Sequence, residues 1–592
     1  MNWNSSALAL CAAAALLGSA STASADAMTP MAYNPVTDDR LKNPEPENWL
    51  SWRGNYAGWG YSALDQITPE NVKDLVPVWS YTTGLVEGHQ APPIVNDGVM
   101  FVSTPENNVI ALDARTGNEI WRYRRKLPKE LFQLHPTNRG VGLYKDRVYL
   151  ATLDAAVVAL DAKTGKIVWE TSVGDWKIGE YSTLSILVAD GKVITGVSGG
   201  EFGVRGHIDA LDAETGAPVW KTFTVPAPGE QGSNTWRGED WKTGGASIWM
   251  QGNYDPDTKL AYFGTGNGAP WMPDTRPGDN LYTSSTIAID VTTGAIKGHH
   301  QYHWNDAWDW DEVSAPLLID IERNGKKRKG LVHAGRNGYL WTLSREDGEI
   351  GFIDAQPYVE QTVFDKIDPK TGRPSYKPDM IPQLNKTVKF CPSLWGGKDW
   401  PPEAYNPKTK VLFIPSHQNL CSEYGGTGKL DALKKGELWL SISVDTLFSS
   451  LRFSDNVDST KPVKIGQLQA FDMTTGKKLW GTDFEDTPFW APLLATGSNL
   501  VFAGGTVDRK FRAFDGATGK IVWEFATSSG VTGVPSSFAV GGKQYIAVQS
   551  GWGVDAERMH SLMNKILPEG RKLPTVPQGG TIWVFALPSK AK

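Results

Sequence analysis

The chain has 592 residues, more than one ordinary core needs, so it encodes either two to four domains or one large repeat architecture. Hydrophobic residues make up 40% and charged residues 21%, which argues against long disorder. A net charge of −6 is poor material for binding a phosphate backbone, so nucleic acid is not an expected partner.

The first element in chain order is an apolar run, Ala7 to Gly18 (ALALCAAAALLG), too short to cross a bilayer. Ala23–Ala25 (ASA) follows it as an A-x-A cleavage site, so residues 1–25 read as an export signal and the mature chain starts near Asp26. No Lys or Arg precedes the run, which departs from the usual pattern. Cys11 is not read as a lipid-attachment site, because Leu10 before it is bulkier than the usual small residue. No later segment reaches 18 uninterrupted apolar residues, so no membrane span is expected.

One phrase then recurs. ALDARTGNEIW starts at Ala111, ALDAKTGKIVW at Ala159 and ALDAETGAPVW at Ala210. AIDVTTGAIKG at Ala288 lacks the tryptophan, TLSREDGEIGF at Thr342 is a worn copy, and AFDMTTGKKLW and AFDGATGKIVW start at Ala470 and Ala513. Each copy reads as strand, tight turn, strand, with T-G supplying the positive-φ turn. The 25 tryptophans and 62 glycines fit many strands joined by tight turns, with rings packed between them. Strong copies lie 48, 51 and 43 residues apart, the length of one four-stranded propeller blade with loops.

The expected fold is therefore all-β: an eight-bladed propeller of four-stranded antiparallel blades, forming a single domain over residues 26–592. VPVWSYTTG (Val76 to Gly84) and GTIWVFAL (Gly580 to Leu587) are expected to pair and close the ring, which removes exposed sheet edges. The recurrent Trp is read as a wedge between blades, not as a catalytic group. Longer gaps between copies point to loop insertions around 299–341 and 353–469, over the face where propeller loops converge on a ligand. Once the signal is removed, Cys391 and Cys421 remain, either as a disulfide or as two buried thiols. No C-x-x-C-H occurs, so no covalent haem is expected.

The Trp-bearing repeats, with SGGEFGVRG (Ser198 to Gly206), GTGNGAPW (Gly264 to Trp271) and the WDWD of Trp308 to Asp311, resemble the quinoprotein alcohol dehydrogenases, which use pyrroloquinoline quinone (PQQ). The likeness runs from Trp49 to Pro588. By that resemblance Glu201, Asn267 and Asp309 are oxygen ligands of a cation, and Asp309 also stands beside the quinone as the base that takes the substrate hydroxyl proton. Asp311 resembles the extra acidic ligand of the lanthanide-dependent branch; its alternative is an acid turned to solvent or to an arginine. The metal is accordingly Ca²⁺ or a lanthanide ion. Asp306 is read as a plain solvated loop acid, and Trp308 and Trp310 as packing around the base.

The resemblance also implies the cofactor contacts. Trp249 would stack under the PQQ ring. Thr183, Ser198, Gly199, Gly200 and Ser247 would give polar or close-approach contacts, and Arg139 and Arg336 would meet its carboxylates and quinone oxygens. Trp490 and, at the SGWG motif, Trp552 would be rim contacts. Gln90 stands where some members have Glu, and Asp399 where many have Asn. A further departure is the adjacent cysteine pair of many members, replaced here by Gln133 and Leu134, so Leu134 becomes the candidate lid. The implied activity is periplasmic oxidation of an alcohol larger than methanol, with electrons passed to a soluble cytochrome c. A non-catalytic assembly scaffold and a PQQ sugar or polyol dehydrogenase are the alternatives.

Overall fold

The copies of the repeated phrase that carry its aspartate fold for the same local reason. The Asp113 carboxylate accepts the N–H groups of Arg115 and Thr116 at 2.9 Å, and Gly117 follows with φ 78°. The same aspartate turn forms at Asp161, Asp212, Asp290 and Asp515. Glycine adopts this left-handed backbone without a Cβ penalty, and here it has a second reason to be glycine. A Cβ on Gly117 would fall 2.6 Å from the Trp79 ring, and one on Gly165 would fall 2.5 Å from Trp121.

These features come from a computed structural model that describes residues 33–323, 325–346 and 348–588. The expected export signal and Cys11 lie outside the described residues. Eight sheets of antiparallel strands follow one another along the chain, each of four strands; one carries an additional short parallel strand, Tyr61–Ser62. The fold is a β-propeller, and the eight sheets are consistent with eight blades.

The repeat tryptophans join one sheet to the next. Their indole N–H groups donate across the gap to the backbone just after the aspartate of the following repeat: Trp79 to Ala114 O at 3.1 Å, Trp121 to Ala162 O at 2.9 Å, Trp169 to Ala213 O at 3.2 Å and Trp220 to Val291 O at 3.0 Å. Trp480 does so to Gly516 O at 3.2 Å. Trp523 completes the circuit by donating to Leu75 O at 3.0 Å, next to the first long strand. That strand, Val76–Thr82, pairs antiparallel with the last, Thr581–Ala586, with Tyr81 opposite Ile582. The pairing expected from the sequence thus holds the ends of the ring in one sheet. Where the phrase lacks Trp, at Gly298, a Cβ would strike Gly348 O at 2.6 Å, so these two sheets meet through backbone.

The gap at 299–341 is only partly an insertion. Its first half is a loop, but Leu317–Arg323 and Lys326–Ala334 are two strands of the fifth sheet, followed by Tyr339–Ser344. That hairpin carries no Asp-x-x-Thr-Gly phrase, which is why it is invisible as a repeat. The region 353–469 holds the strands Ala404–Asn406 and Val411–His417 of the sixth sheet. It also adds a two-stranded and a three-stranded sheet beside them. Cys391 and Cys421 form a disulfide in the second of these additions. A 13-residue helix, Val554–Ile566, follows none of the sequence patterns that mark the repeats. Among the described residues no helix is long and apolar enough to cross a membrane.

Candidate active site

Loops at one end of the sheets enclose a cavity of about 100 Å³ lined by Glu201, Trp249, Asp309, Asp311, Arg336 and Asp399. Glu201 comes from the 3₁₀ turn Gly200–Phe202, Arg336 from the loop after Lys326–Ala334, and Asp309 and Asp311 from the loop before Leu317–Arg323. Asp309 has φ 60°, an uncommon conformation for a non-glycine residue. Trp308 and Trp310 stack on each other at 5.0 Å and are fully buried behind it.

Arg336 is shared by three carboxylates: Asp311 at 3.4 Å, Asp399 at 3.5 Å and Asp309 at 3.8 Å. Together they raise its pKa despite burial. Burial pushes Asp309 well above the carboxylate range; Arg336 opposes this, and the negative Asp311 and Glu201 add to it. Glu201, which keeps part of its surface open to the cavity, is raised to about 7 by burial and then by Asp311. Burial also raises Asp311 and Asp399, each to about 6 against the pull of Arg336. The basin holds more negative charge than its arginine neutralises, which fits a cation.

Other residues support that fit. Asn267 is fully buried, and neither its Oδ1 nor its Nδ2 has a partner; Asp309 Oδ1 has none either. Buried polar atoms are rarely left this way without a ligand or water. The Asn267 N–H donates to Asp311 Oδ1 at 2.5 Å, which ties two of the expected ligands together. Space for close approach comes from glycines: a Cβ on Gly200 would sit 3.2 Å from Asn267 Oδ1, and one on Gly266 would sit 2.7 Å from Asp311 Oδ1. Among the described residues, the oxygens of Glu201, Asp309 and Asp311 do not all lie within 4.8 Å of one another. The one trio of potential ligands that does is Glu360, Cys391 and Cys421, whose sulfurs are already in the disulfide.

A flat, anionic cofactor fits the remaining residues. The Arg139 guanidinium lies 4.8 Å from the Trp249 ring centre and 5.1 Å from that of Trp400, and donates to Thr183 Oγ1 at 2.6 Å. Thr183 Oγ1 lies 3.3 Å from Ser198 Oγ, and Ser247 is buried next to Gly266. Gly199, at φ 113°, has no room for a side chain, since a Cβ would meet Gly179 O at 2.2 Å. Gln90, Trp490 and Trp552 are buried and, like Arg139, Thr183, Ser198, Gly199, Gly200, Ser247 and Asn267, do not line the cavity. Gln90, Trp490 and Trp552 nonetheless each have an unpartnered polar atom, as does Arg139 at Nε.

Asp306 is not a solvated acid. It is fully buried, and its carboxylate accepts the backbone N–H groups of Trp308 at 3.3 Å, Asp309 at 3.1 Å and Trp310 at 3.3 Å. A tight loop leaves its amides turned inward, and a short acid at its start satisfies them. Three further groups lacked any motif: His135, Asp555 and Arg558. Asp555 lies 3.1 Å from His135 and 3.0 Å from Arg558, and Arg558 donates to Leu134 O at 2.6 Å. Burial alone would raise Asp555, but its two partners outweigh that and hold it well below the usual range. Leu134 lines the cavity together with Leu438, Leu440, Leu447 and Phe448 from the 425–450 segment.

A ring of sheets with an aromatic-walled, carboxylate-rich pocket over one end is the build of a cofactor-dependent propeller enzyme. The family model described as "PQQ: Glucose/ethanol/alcohol dehydrogenase, beta-propeller domain" matches residues 49–365 and 466–546. Quinoprotein alcohol dehydrogenase PedH of Pseudomonas putida is 36% identical over 582 residues, covering 93% of each chain. The putative dehydrogenase XoxF of Paracoccus denitrificans is 33% identical, covering 86% of this chain and 88% of its own. A solved europium-containing methanol dehydrogenase superposes with a TM-score of 0.84 at 31% identity, covering 93% of this chain and all of the other. The chain belongs to the family of PQQ-dependent quinoprotein alcohol dehydrogenases.

Proposed function

We propose that this protein is exported to the periplasm, is cleaved before Asp26, and uses its single propeller domain to oxidise an alcohol larger than methanol to an aldehyde or ketone. Electrons then pass to a soluble cytochrome c. The observation that carries this reading is the cluster of Glu201, Asp309 and Asp311 beside Trp249 in one cavity, with partnerless oxygens on Asn267 and Asp309 facing no protein donor.

Glu201, Asn267, Asp309 and Asp311 would hold the cation, and Trp249, Arg139, Thr183, Ser198 and Ser247 the PQQ. When bound, PQQ would supply the hydride acceptor and the cation a Lewis acid beside it. Asp309 Oδ1, unpartnered in the cavity wall, takes the alcohol proton. Asp309 would stay ionised, against the effect of burial, beside a bound cation. Arg336 orients the carboxylates through its contacts to Asp309, Asp311 and Asp399. Leu134, Leu438, Leu447 and Phe448 exclude water and receive the apolar body of the alcohol, which supports a substrate larger than methanol. Five carboxylates and two arginines line the cavity, and this balance favours a trivalent over a divalent ion. The test is a matrix: purified unloaded protein, PQQ, Ca²⁺ or La³⁺, a panel of alcohols and aldoses, and a dye acceptor. Dye reduction with alcohols and not aldoses is expected; failure to take up PQQ would overturn the reading.

A further inference from the structure

Behind the Asp309 loop lies a buried polar cluster to which the chemistry above gives no task. His303, Asp306, Glu312 and His333 are all shielded from solvent. His303 Nε2–H donates to Asp306 Oδ1 at 3.0 Å, while His303 Nδ1 faces the Asn337 amide at 3.4 Å and Glu312 Oε1 at 3.6 Å. Glu312 in turn accepts the backbone N–H groups of Arg336 at 2.9 Å and Asn337 at 3.1 Å, and the ring of His333 at 2.6 Å. The two Asp306 oxygens divide their load: Oδ2 takes the Asp309 N–H, and Oδ1 takes Trp308, Trp310 and His303. Arg276 pins the Asp306 carbonyl from the other side.

The consequence is that the 303–312 loop grips the 336–337 turn at two points: the Asp306–His303 pair reaches the Asn337 side chain, and Glu312 separately holds the Arg336 and Asn337 N–H groups. Asp306 fixes the backbone of Asp309 in its left-handed conformation, and Glu312, from the same loop, fixes the backbone of Arg336. A loop residue at φ 60° relaxes unless its surroundings over-determine it. Within 302–316 the Asp309 N–H has this one carboxylate oxygen as its partner. We propose that Asp306 and His303 are positioning residues for the reaction: Asp306 holds the Asp309 amide, and His303 couples that loop to the Asn337–Arg336 turn. The distance between base and guanidinium is thereby set from behind the site. This inference rests on the reading of Asp309 as the base.

Asp306→Asn isolates the claim. An amide has one acceptor oxygen, so if it serves Trp308, Trp310 and His303, an NH₂ group faces the Asp309 N–H. In unloaded protein, hydrogen exchange resolved to single amides should then show Asp309 exchanging faster, with Trp308 and Trp310 still protected. In protein loaded with PQQ and La³⁺, benzyl alcohol turnover per bound PQQ should fall about 10–100-fold. KM should stay within about twofold, because the residue touches no substrate. The isotope effect with α-deuterated benzyl alcohol should rise as proton and hydride removal become limiting. His303→Gln, which leaves Asp306 in place, should give the same pattern with a smaller but measurable loss of turnover.

Wild-type turnover per bound PQQ in both variants would overturn the proposal. So would an activity loss that only follows PQQ occupancy, since that is the mark of a structural role. The base assignment fails separately: Asp309→Asn with retained turnover would sink it, while the exchange result at Asp306 would stand.

Discussion

Arg336 touches Asp309, Asp311 and Asp399 at once, so no one of these acids has a cation to itself. Removing the Asp309 charge by Asp309→Asn should lower turnover about 10²–10⁴-fold with PQQ still bound, measured as dye reduction per mole of cofactor. Asp311→Ala should remove activation by La³⁺ and retain activation by Ca²⁺; isothermal titration of the unloaded variant should show the lanthanide heat reduced. The same residues make stability depend on pH. Glu201 is raised to about 7, and Asp311 and Asp399 each to about 6, by burial among like charges. Raised carboxyls make the native form bind more protons than the unfolded chain between about pH 4 and pH 7, so the unloaded protein loses stability as pH rises through that window. Calorimetric Tm should therefore fall from about pH 5 to pH 7.5 without metal, and the slope should flatten with La³⁺. That Glu201, Asp309 and Asp311, all on quoted motifs, come together in one cavity was legible in the sequence. Asp306 was misread because nothing in WNDAWDWDE distinguishes an acid facing inward from one facing water; only the closed loop does.

At the level of elements, the 390–399 segment delivers Leu394, Trp395 and Asp399 to the cavity wall, and the Trp310 indole donates to Ser393 O at 2.9 Å within it. The Cys391–Cys421 disulfide anchors the start of this segment across 30 residues. Replacing both cysteines by serine should cost about 3 kcal/mol in urea unfolding and speed PQQ release on dialysis. Repeat strands were visible because the aspartate turn, the glycine and the docking Trp leave one printed phrase. The Leu317–Ala334 hairpin and the Val554–Ile566 helix were not, since neither uses that device. The helix reaches the site through Asp555 and Arg558, whose partners His135 and Leu134 lie 420 residues or more away; no local pattern encodes such a pairing.

For the whole molecule, the decisive contact is between its ends. Val76–Thr82 is held by Thr581–Ala586, and the circuit of indole bonds returns to Leu75 through Trp523. A chain truncated before Thr581 should leave two sheet edges open and fail to give soluble, cofactor-binding protein, as judged by size exclusion and PQQ retention. The walls of the cavity are drawn from Leu134 to Arg558, so no amino-terminal portion carries a complete site. Synthesis, and on our reading export, must therefore deliver nearly the entire polypeptide before any cofactor can be gripped. An early-captured quinone or ion would find only half a vessel, and loading becomes the final act of maturation, after the hoop has been fastened.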